Sequence, residues 1–306
     1  MKRSPEISVI IPCKGHASEL RDCLEGLSRM TVYVPYEIIV VDSASDPDVA
    51  AVVREYKGVK MVRSEYGLSP GPARNLGVSQ ARGDFLAFID ADCIPATDWL
   101  QNAYDSLLEG MQMVGGSILD AMPDQYISVI DNLLQFAELP PGRPRNRVEV
   151  LPACNLAIRR EAFEEVNGFP DSLLIQDSLF TERVASHWSE NCWFVPEMVV
   201  AHRGRNSFNG LYQHHKEFGY FRGLHGFRVT QSQQRIASYR IFIPVIVLKR
   251  LVFIYRRVLR WNRANFTRYI ILLPIVLYGL LGWASGFYKG CREALENRQK
   301  RKKNDD

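Results

Sequence analysis

The sequence predicts an α/β fold: a mixed, mostly parallel sheet flanked by helices, followed by a C-terminal helical, membrane-associated region. Three observations point there. Short, nearly continuous apolar runs alternate with segments of helical spacing through the first half of the chain, which is the pattern of a sheet covered on both faces. The 306 residues are 46% hydrophobic and 24% charged, enough for a sizeable core and too apolar for a disordered chain. Charge is unevenly divided. Residues 236–306 hold 15 Lys/Arg and 4 Asp/Glu, a balance of +11, and residues 1–235 hold 23 and 30, a balance of −7, which together return the net +4. A basic tail of this kind meets an anionic partner.

The elements follow in order. Residues 7–11 form a short apolar run with Ser8 inside it, closed by Pro12, and read as a buried strand. Leu20, Cys23, Leu24 and Leu27 recur at helical spacing and predict a helix over 17–29. Residues 37–41 give a second strand that ends at Asp42, and Asp46-Pro47 is a helix start signal. Residues 59–62 read as a third strand. The segment GLSPGP at 67–72 reads as a loop, with a helix opening at Pro72 and running to about Ala81. Residues 84–89 give a fourth strand, apolar on both faces. Farther on, 111–119 and 155–158 read as strands, and 161–166 and 177–187 as helices. The segment PPGRPRNR at 140–147 reads as a loop that no apolar side chain anchors.

The six Cys are scattered and form no C-x-x-C pair, so a zinc ribbon or thioredoxin-type site is not expected. The apolar run at 7–11 is too short for a signal-peptide core. The expectation is a cytoplasmic catalytic part with reduced thiols.

In open parallel sheets the ligand site lies beyond the C-terminal ends of the strands. Three predicted strands end in residues suited to a nucleotide and a cation. The first is followed by Pro12-Cys13-Lys14-Gly15, the second by Asp42-Ser43-Ala44-Ser45-Asp46, and the third by Asp90-Ala91-Asp92. An isolated D-x-D is weak, since Asp is common in turns and caps. Its force here comes from all three lying where a site must be. Two carboxylates at i and i+2 reach one hard cation once the strand has turned, and Cys93-Ile94-Pro95 favours that turn.

The blocks ISVIIPCKG, EIIVVDSASD, GPARNLGV, GDFLAFIDADCIP, CNLAIRREAFEEVNGF and QDSLFTERV resemble, in order, the successive blocks of family 2 glycosyltransferases. The resemblance covers about residues 5–205 and implies the GT-A fold, a Rossmann-like sheet. Together with the charge division, it gives the expectation of a catalytic domain over 1–235, with a nucleotide-sugar half at about 1–120 and an acceptor half at about 121–235, ahead of the tail at 236–306. It also implies a nucleotide-diphosphate sugar donor, with UDP-sugar favoured, and a divalent cation, Mn2+ or Mg2+. By position, Asp42 resembles the acidic residue that receives the base. Arg74 and Asn75 resemble the pair near the diphosphate and sugar. Asp90 and Asp92 resemble the D-x-D motif, with Asp92 the better metal contact, and His202 resembles the His that completes the metal shell. Asp177 resembles the general base. Pro12, Lys14, Ser45, Ala91 and Asn155 join the implied nucleotide-sugar site. The chain departs from the pattern at Ser43, at Cys13-Lys14-Gly15-His16, and at Gln176, which stands where the family's E-D pair has Glu.

The chemistry expected is one in-line displacement. A cation neutralises the leaving diphosphate, and Asp177 takes the proton from the attacking hydroxyl, giving inversion. Hydrolysis would need two carboxylates flanking the bond, and here the D-x-D is committed to metal. Asp177 also stands where a helix N-cap is expected. A transferase-like scaffold that binds nucleotide sugar or a membrane partner without turnover is the alternative, disfavoured by the presence of Asp90, Asp92 and Asp177 together.

The tail contains 20 uncharged residues, YIILLPIVLYGLLGWASGFY, at 269–288, a length suited to a membrane span. Basic residues flank it on both sides, which argues against a single crossing and for an in-plane or re-entrant helix bent near Pro274 and Gly279. The two arrangements carry equal weight, and a soluble core helix is less favoured because such helices usually show a polar face. The aliphatic runs between the cations favour an anionic membrane surface over nucleic acid. The expectation is a protein at the cytoplasmic face of the cell membrane, acting on a hydroxyl acceptor such as a polyprenyl-linked sugar or polysaccharide precursor.

Overall fold

The computed structural model of the chain describes residues 4–44, 47–171 and 174–305. The strands are β1 Ile7–Cys13, β2 Tyr36–Ser43, β3 Val59–Ser64, β4 Phe85–Ile89, β5 Cys93–Pro95, β6 Met113–Asp120, β7 Asn146–Arg147, β8 Asn155–Arg159 and β9 Cys192–His202. The helices are α1 Ala17–Ser28, α2 Pro47–Glu55, α3 Pro70–Ser79, α4 Trp99–Leu108, α5 Tyr126–Phe136, α6 Arg160–Glu165, α7 Gln176–His187, α8 Phe208–His225, α9 Gln231–Ala237, α10 Ile243–Trp261, α11 Phe266–Ile271 and α12 Leu273–Asp305. They divide into two compact units, Met1–Ala121 with Leu139–Arg203, and Met122–Glu138 with Gly204–Asp306. The expected boundary at 235 follows charge, whereas these units follow packing.

The first unit holds one sheet in the order β3-β2-β1-β4-β8-β6-β9-β5, with β7 paired to β9. Strands β3, β2, β1 and β4 are parallel. Beyond them β8 runs antiparallel to β4 and β6, and β6 and β9 are parallel. All five residues of β4 are buried, as its unbroken apolar run requires. Ser8 is tolerated in buried β1 because its hydroxyl donates to Glu37 Oε1 at 2.8 Å and accepts from the Gly83 N–H at 2.9 Å.

Three local expectations are corrected. Helix α3 begins at Pro70, so the loop ends before both prolines. Pro70 fills the first helical position, where a missing N–H costs nothing. The 140–147 segment is fastened, and by its arginines. Arg143 lies 4.8 Å from the Phe194 ring centroid and Arg147 5.6 Å from that of Trp193. Residues 146 and 147 pair with β9. Asp177 stands inside the first turn of α7, whose N-cap is Ile175.

The second unit is helical. Its core joins Ile130, Leu133 and Leu134 of α5 to Leu211 of α8, Val247, Ile254 and Val258 of α10, and Val276, Leu280, Trp283, Ala284 and Phe287 of α12. One side of the 269–288 run is therefore core, while Ile270, Ile271, Tyr278 and Leu281 are exposed. Helices α8 and α12 approach so closely that only glycine fits between them. A Cβ on Gly286 would lie 1.8 Å from the Lys216 carbonyl oxygen, and one on Gly219 would lie 2.0 Å from that of Trp283.

Among the described residues no single helix is long and apolar enough to cross a membrane. The segments 263–271 and 273–300 pass that test only together, and they bend by 83° at the break. The bend falls just ahead of Pro274, whose missing N–H removes a helical bond, while α12 continues unbroken through Gly279.

His215 is 2% exposed, with Nε2 2.9 Å from Asp131 Oδ1. Burial alone would raise the Asp131 carboxyl. The hydrogen bond and charge of His215, with His214 and the Arg205 N–H, outweigh it and hold the carboxyl at about 2.

Candidate active site

Pro12, Lys14, Asp42, Asp90 and Asp92 lie at or just beyond the C-terminal ends of parallel strands of the first unit. Pro12 is half-buried one residue before the end of β1, and Lys14 follows the strand exposed. The β1–β2 register sets Cys13 beside Asp42, and the β2–β3 register sets Asp42 beside Arg63. Asp42 is fully buried, with Oδ2 3.7 Å from Arg63 Nε. Arg63 drew no attention in the sequence, because only the strand register brings it to Asp42. Ser45 lies outside the described residues.

Helix α3 delivers Arg74, which is 3% exposed. Its Nη2 donates to Asp90 Oδ1 at 2.5 Å, and its guanidinium carbon lies 5.3 Å from the Phe169 ring centroid. Asp90 and Asp92 are both about one-third exposed, 32% each, and Ala91 between them is buried. The pair divides its attention. Asp90 faces Arg74, whereas Asp92 Oδ2 stands 3.7 Å from His202 Nε2. That second approach has a topological cause. Strand β5 turns back antiparallel to β9 and sets Cys93 opposite His202.

The same strand brings in a residue that no motif marks. Asp120, at the end of β6, is the register partner of His202 on the other side. Strand β9 itself was hard to read because Pro196 breaks its alternation. The structure absorbs the break as a bulge, where Gly116 pairs Val195 and the next residue, Ser117, pairs Val199.

Asp177 Oδ1 accepts from the Ser178 N–H at 2.7 Å. Burial pushes the Asp177 carboxyl up from its ordinary value. Arg74 and the N–H groups of Ser178 and Ala153 work against that rise, and Asp90 adds to it. Raised proton affinity at a partly open position suits a base.

Two expected site residues are occupied elsewhere. Asn75 Nδ2 donates to the Phe169 carbonyl at 2.8 Å and its Oδ1 accepts from the Phe169 N–H at 3.0 Å, so it pins the loop under Arg74. Asn155 is fully buried. It accepts from Trp99 Nε1 at 2.8 Å and donates to the carbonyls of Ser117 and Met198 at 3.0 and 2.9 Å. It stitches the sheet and presents no surface to a ligand. Arg203, which follows β9, is paired with Asp22.

A divalent cation fits between Asp92 and His202 in one respect. Ligand bonds run about 2.0–2.6 Å, so two donors 3.7 Å apart can share one ion. Among the described residues no three acidic, His or Cys side chains converge as a closed cage. The buried thiols do not compete, because burial pushes Cys93 well above its ordinary value and Cys13 up to about 12.

A family model described as glycosyl transferase family 2 matches residues 8–166. The chain is 25% identical over 207 residues to glycosyltransferase AglE of Haloferax volcanii, covering 66% of this chain and 68% of that one. It is 25% identical over 236 residues to chondroitin synthase of Escherichia coli, 72% of this chain but 34% of the synthase. It is 24% identical over 176 residues to pre-mycofactocin glycosyltransferase of Mycobacterium tuberculosis, 55% of this chain and 36% of that one. Among solved structures it resembles mannosyltransferase PcManGT from Pyrobaculum calidifontis, in complex with GDP-Man and Mn2+. The TM-score is 0.57 at 18% identity, over 98% of this chain and 89% of that chain. At that identity the likeness shows a shared fold.

Proposed function

The chain belongs to glycosyl transferase family 2, a nucleotide-sugar glycosyltransferase, and on that premise we propose that it transfers a sugar with inversion to a hydroxyl acceptor at a membrane surface. The observation that carries the chemistry is the single base. Asp177 is a half-buried carboxyl whose proton affinity burial raises and Arg74 restrains. One base opposite one leaving group gives one displacement, hence inversion.

Asp42 and Arg63 would meet the nucleoside, with an acceptor and a donor at the end of β2 and β3. Arg74 would serve the diphosphate side, since a guanidinium matches phosphate geometry and is already charge-balanced by Asp90. Asp92 and His202 would hold Mn2+ or Mg2+, which supplies Lewis-acid neutralisation of the departing diphosphate. Asp177 takes the acceptor proton.

The membrane reading is carried by α10. Val245, Leu248, Val252 and Leu259 are all exposed, as is Ile241 in the turn just ahead of the helix, at 80%. The spacings of 3, 4 and 7 between the four helical positions put them on one stripe. The opposite stripe, Val247, Ile254 and Val258, is core. Lys249, Arg256 and Arg260 flank the outer stripe, the charge complement of an anionic leaflet. A membrane-resident acceptor, such as a polyprenyl-linked sugar, fits that placement.

Thermal unfolding of the full chain with UDP-, GDP- and dTDP-sugars, with and without Mn2+, tests the donor and cation together. A donor at 100 times its Kd adds about 2.7 kcal/mol by mass action. One sugar nucleotide should raise the melting temperature, more so with Mn2+, and Asp92→Asn should remove the Mn2+ increment. Melting temperatures indifferent to every donor would count against the reading.

A further inference from the structure

Beside the base, two buried polar atoms make no hydrogen bond, Gln176 Oε1 and Arg74 Nε. Gln176 is 5% exposed and Arg74 3%. Enclosed polar atoms without partners are costly and uncommon in native structures. Both belong to side chains at α3. A Cβ on Gly71 would lie 3.0 Å from Gln176 Oε1 and 3.3 Å from Phe169 Cβ. Arg74 stands one turn farther along the same face of α3, with its guanidinium over the same Phe169. An acceptor and a donor therefore both face the Phe169 side of α3, whose first turn packs closely because Gly71 has no side chain.

A carboxamide oxygen can only accept, and a guanidinium N–H can only donate. A hydroxyl does both, so one hydroxyl satisfies the pair. Its source follows from what Arg74 already holds. Arg74 is bonded to Asp90, two residues before Asp92 on the diphosphate side of the site, and the donor's sugar is joined to that diphosphate. We propose that Gln176 and Arg74 together read one ring hydroxyl of the donor sugar, so that Gln176 sets sugar specificity. The proposal rests on the transferase reading above. It gives a use to the residue by which the chain departs from the family's E-D pair. A neutral carboxamide accepts a hydrogen bond from the hydroxyl without placing a second negative charge beside Asp177 and Asp90.

The test is calorimetric titration of the full chain in Mn2+ with UDP-, GDP- and dTDP-sugars, and with the bare diphosphates UDP, GDP and dTDP. Gln176→Met keeps the length of the side chain and removes its acceptor. It should weaken binding of the cognate sugar nucleotide roughly tenfold to a hundredfold and leave the bare diphosphate within about twofold. Gln176→Glu retains an acceptor oxygen and should keep most of the sugar affinity. A donor deoxygenated at the position that is read should bind wild type and Gln176→Met alike. Undiminished sugar affinity in Gln176→Met, or equal loss for sugar nucleotide and bare diphosphate, overturns the proposal alone. Wild-type protein that binds no sugar nucleotide and no diphosphate overturns the transferase reading beneath it.

Discussion

Asp177 meets two demands that pull in opposite directions. A base must be ionised to accept a proton and must bind that proton well enough to hold it. Burial raises its proton affinity, and Arg74 limits the rise. The sign for activity follows. The carboxylate is the working form, so the rate falls as pH drops through a value above the ordinary Asp range, and holds above it. Asp177→Asn should cut kcat by roughly 10²–10⁴ with donor binding unchanged in a titration. Arg74→Gln should shift the acid limb of the kcat/KM profile to higher pH. An Asp177→Asn protein of normal rate would remove Asp177 from the mechanism. At this scale the sequence was most legible for charged residues at strand ends, because Asp42, Asp90 and Asp92 stand next to apolar runs. It was least legible for Arg63 and Asp120, which acquire meaning only from what strand register sets beside them.

Among elements, those with a pure period were readable and those with a mixed one were not. Strands β1, β2 and β4 advertise themselves by apolar runs, and α1 by its spacing. Strand β9 hides behind Pro196. Helix α8 hides for another reason. Its sequence, FNGLYQHHKEFGYFRGLH, mixes glycine, aromatic and histidine residues with little apolar periodicity. Its contact with α12 is made by backbone meeting backbone, so the usual apolar stripe is replaced by the absence of side chains at Gly219, Gly282 and Gly286. Gly286→Ala should then destabilise the protein by about 1–3 kcal/mol, the range for overpacking a filled interface, seen as a lower urea midpoint. An unchanged midpoint would mean that the helices separate without cost.

On the scale of the whole molecule, the charge division and the outer stripe of α10 make one prediction. The full chain should sediment with vesicles containing phosphatidylglycerol and remain in solution with pure phosphatidylcholine. Salt should weaken the binding, because exposed charges are screened within about 10 Å at 0.1 M. The pair Leu248→Glu and Val252→Glu should abolish it, since the apolar stripe and the cations act jointly. Equal binding to both kinds of vesicle would remove the electrostatic part.

The threading of the chain carries one more consequence. It enters the second unit at 122, makes α5, returns to the first unit at 139, and enters the second again at 204. During synthesis α5 therefore leaves the ribosome with Ile130, Leu133 and Leu134 bare, and α12, which covers them, is about 150 residues behind. At about 5–20 residues per second that delay is on the order of ten seconds. For that interval the nascent protein displays a greasy helix to chaperones or to a nearby bilayer, and the order of its birth, as much as its final contacts, decides who meets that helix first.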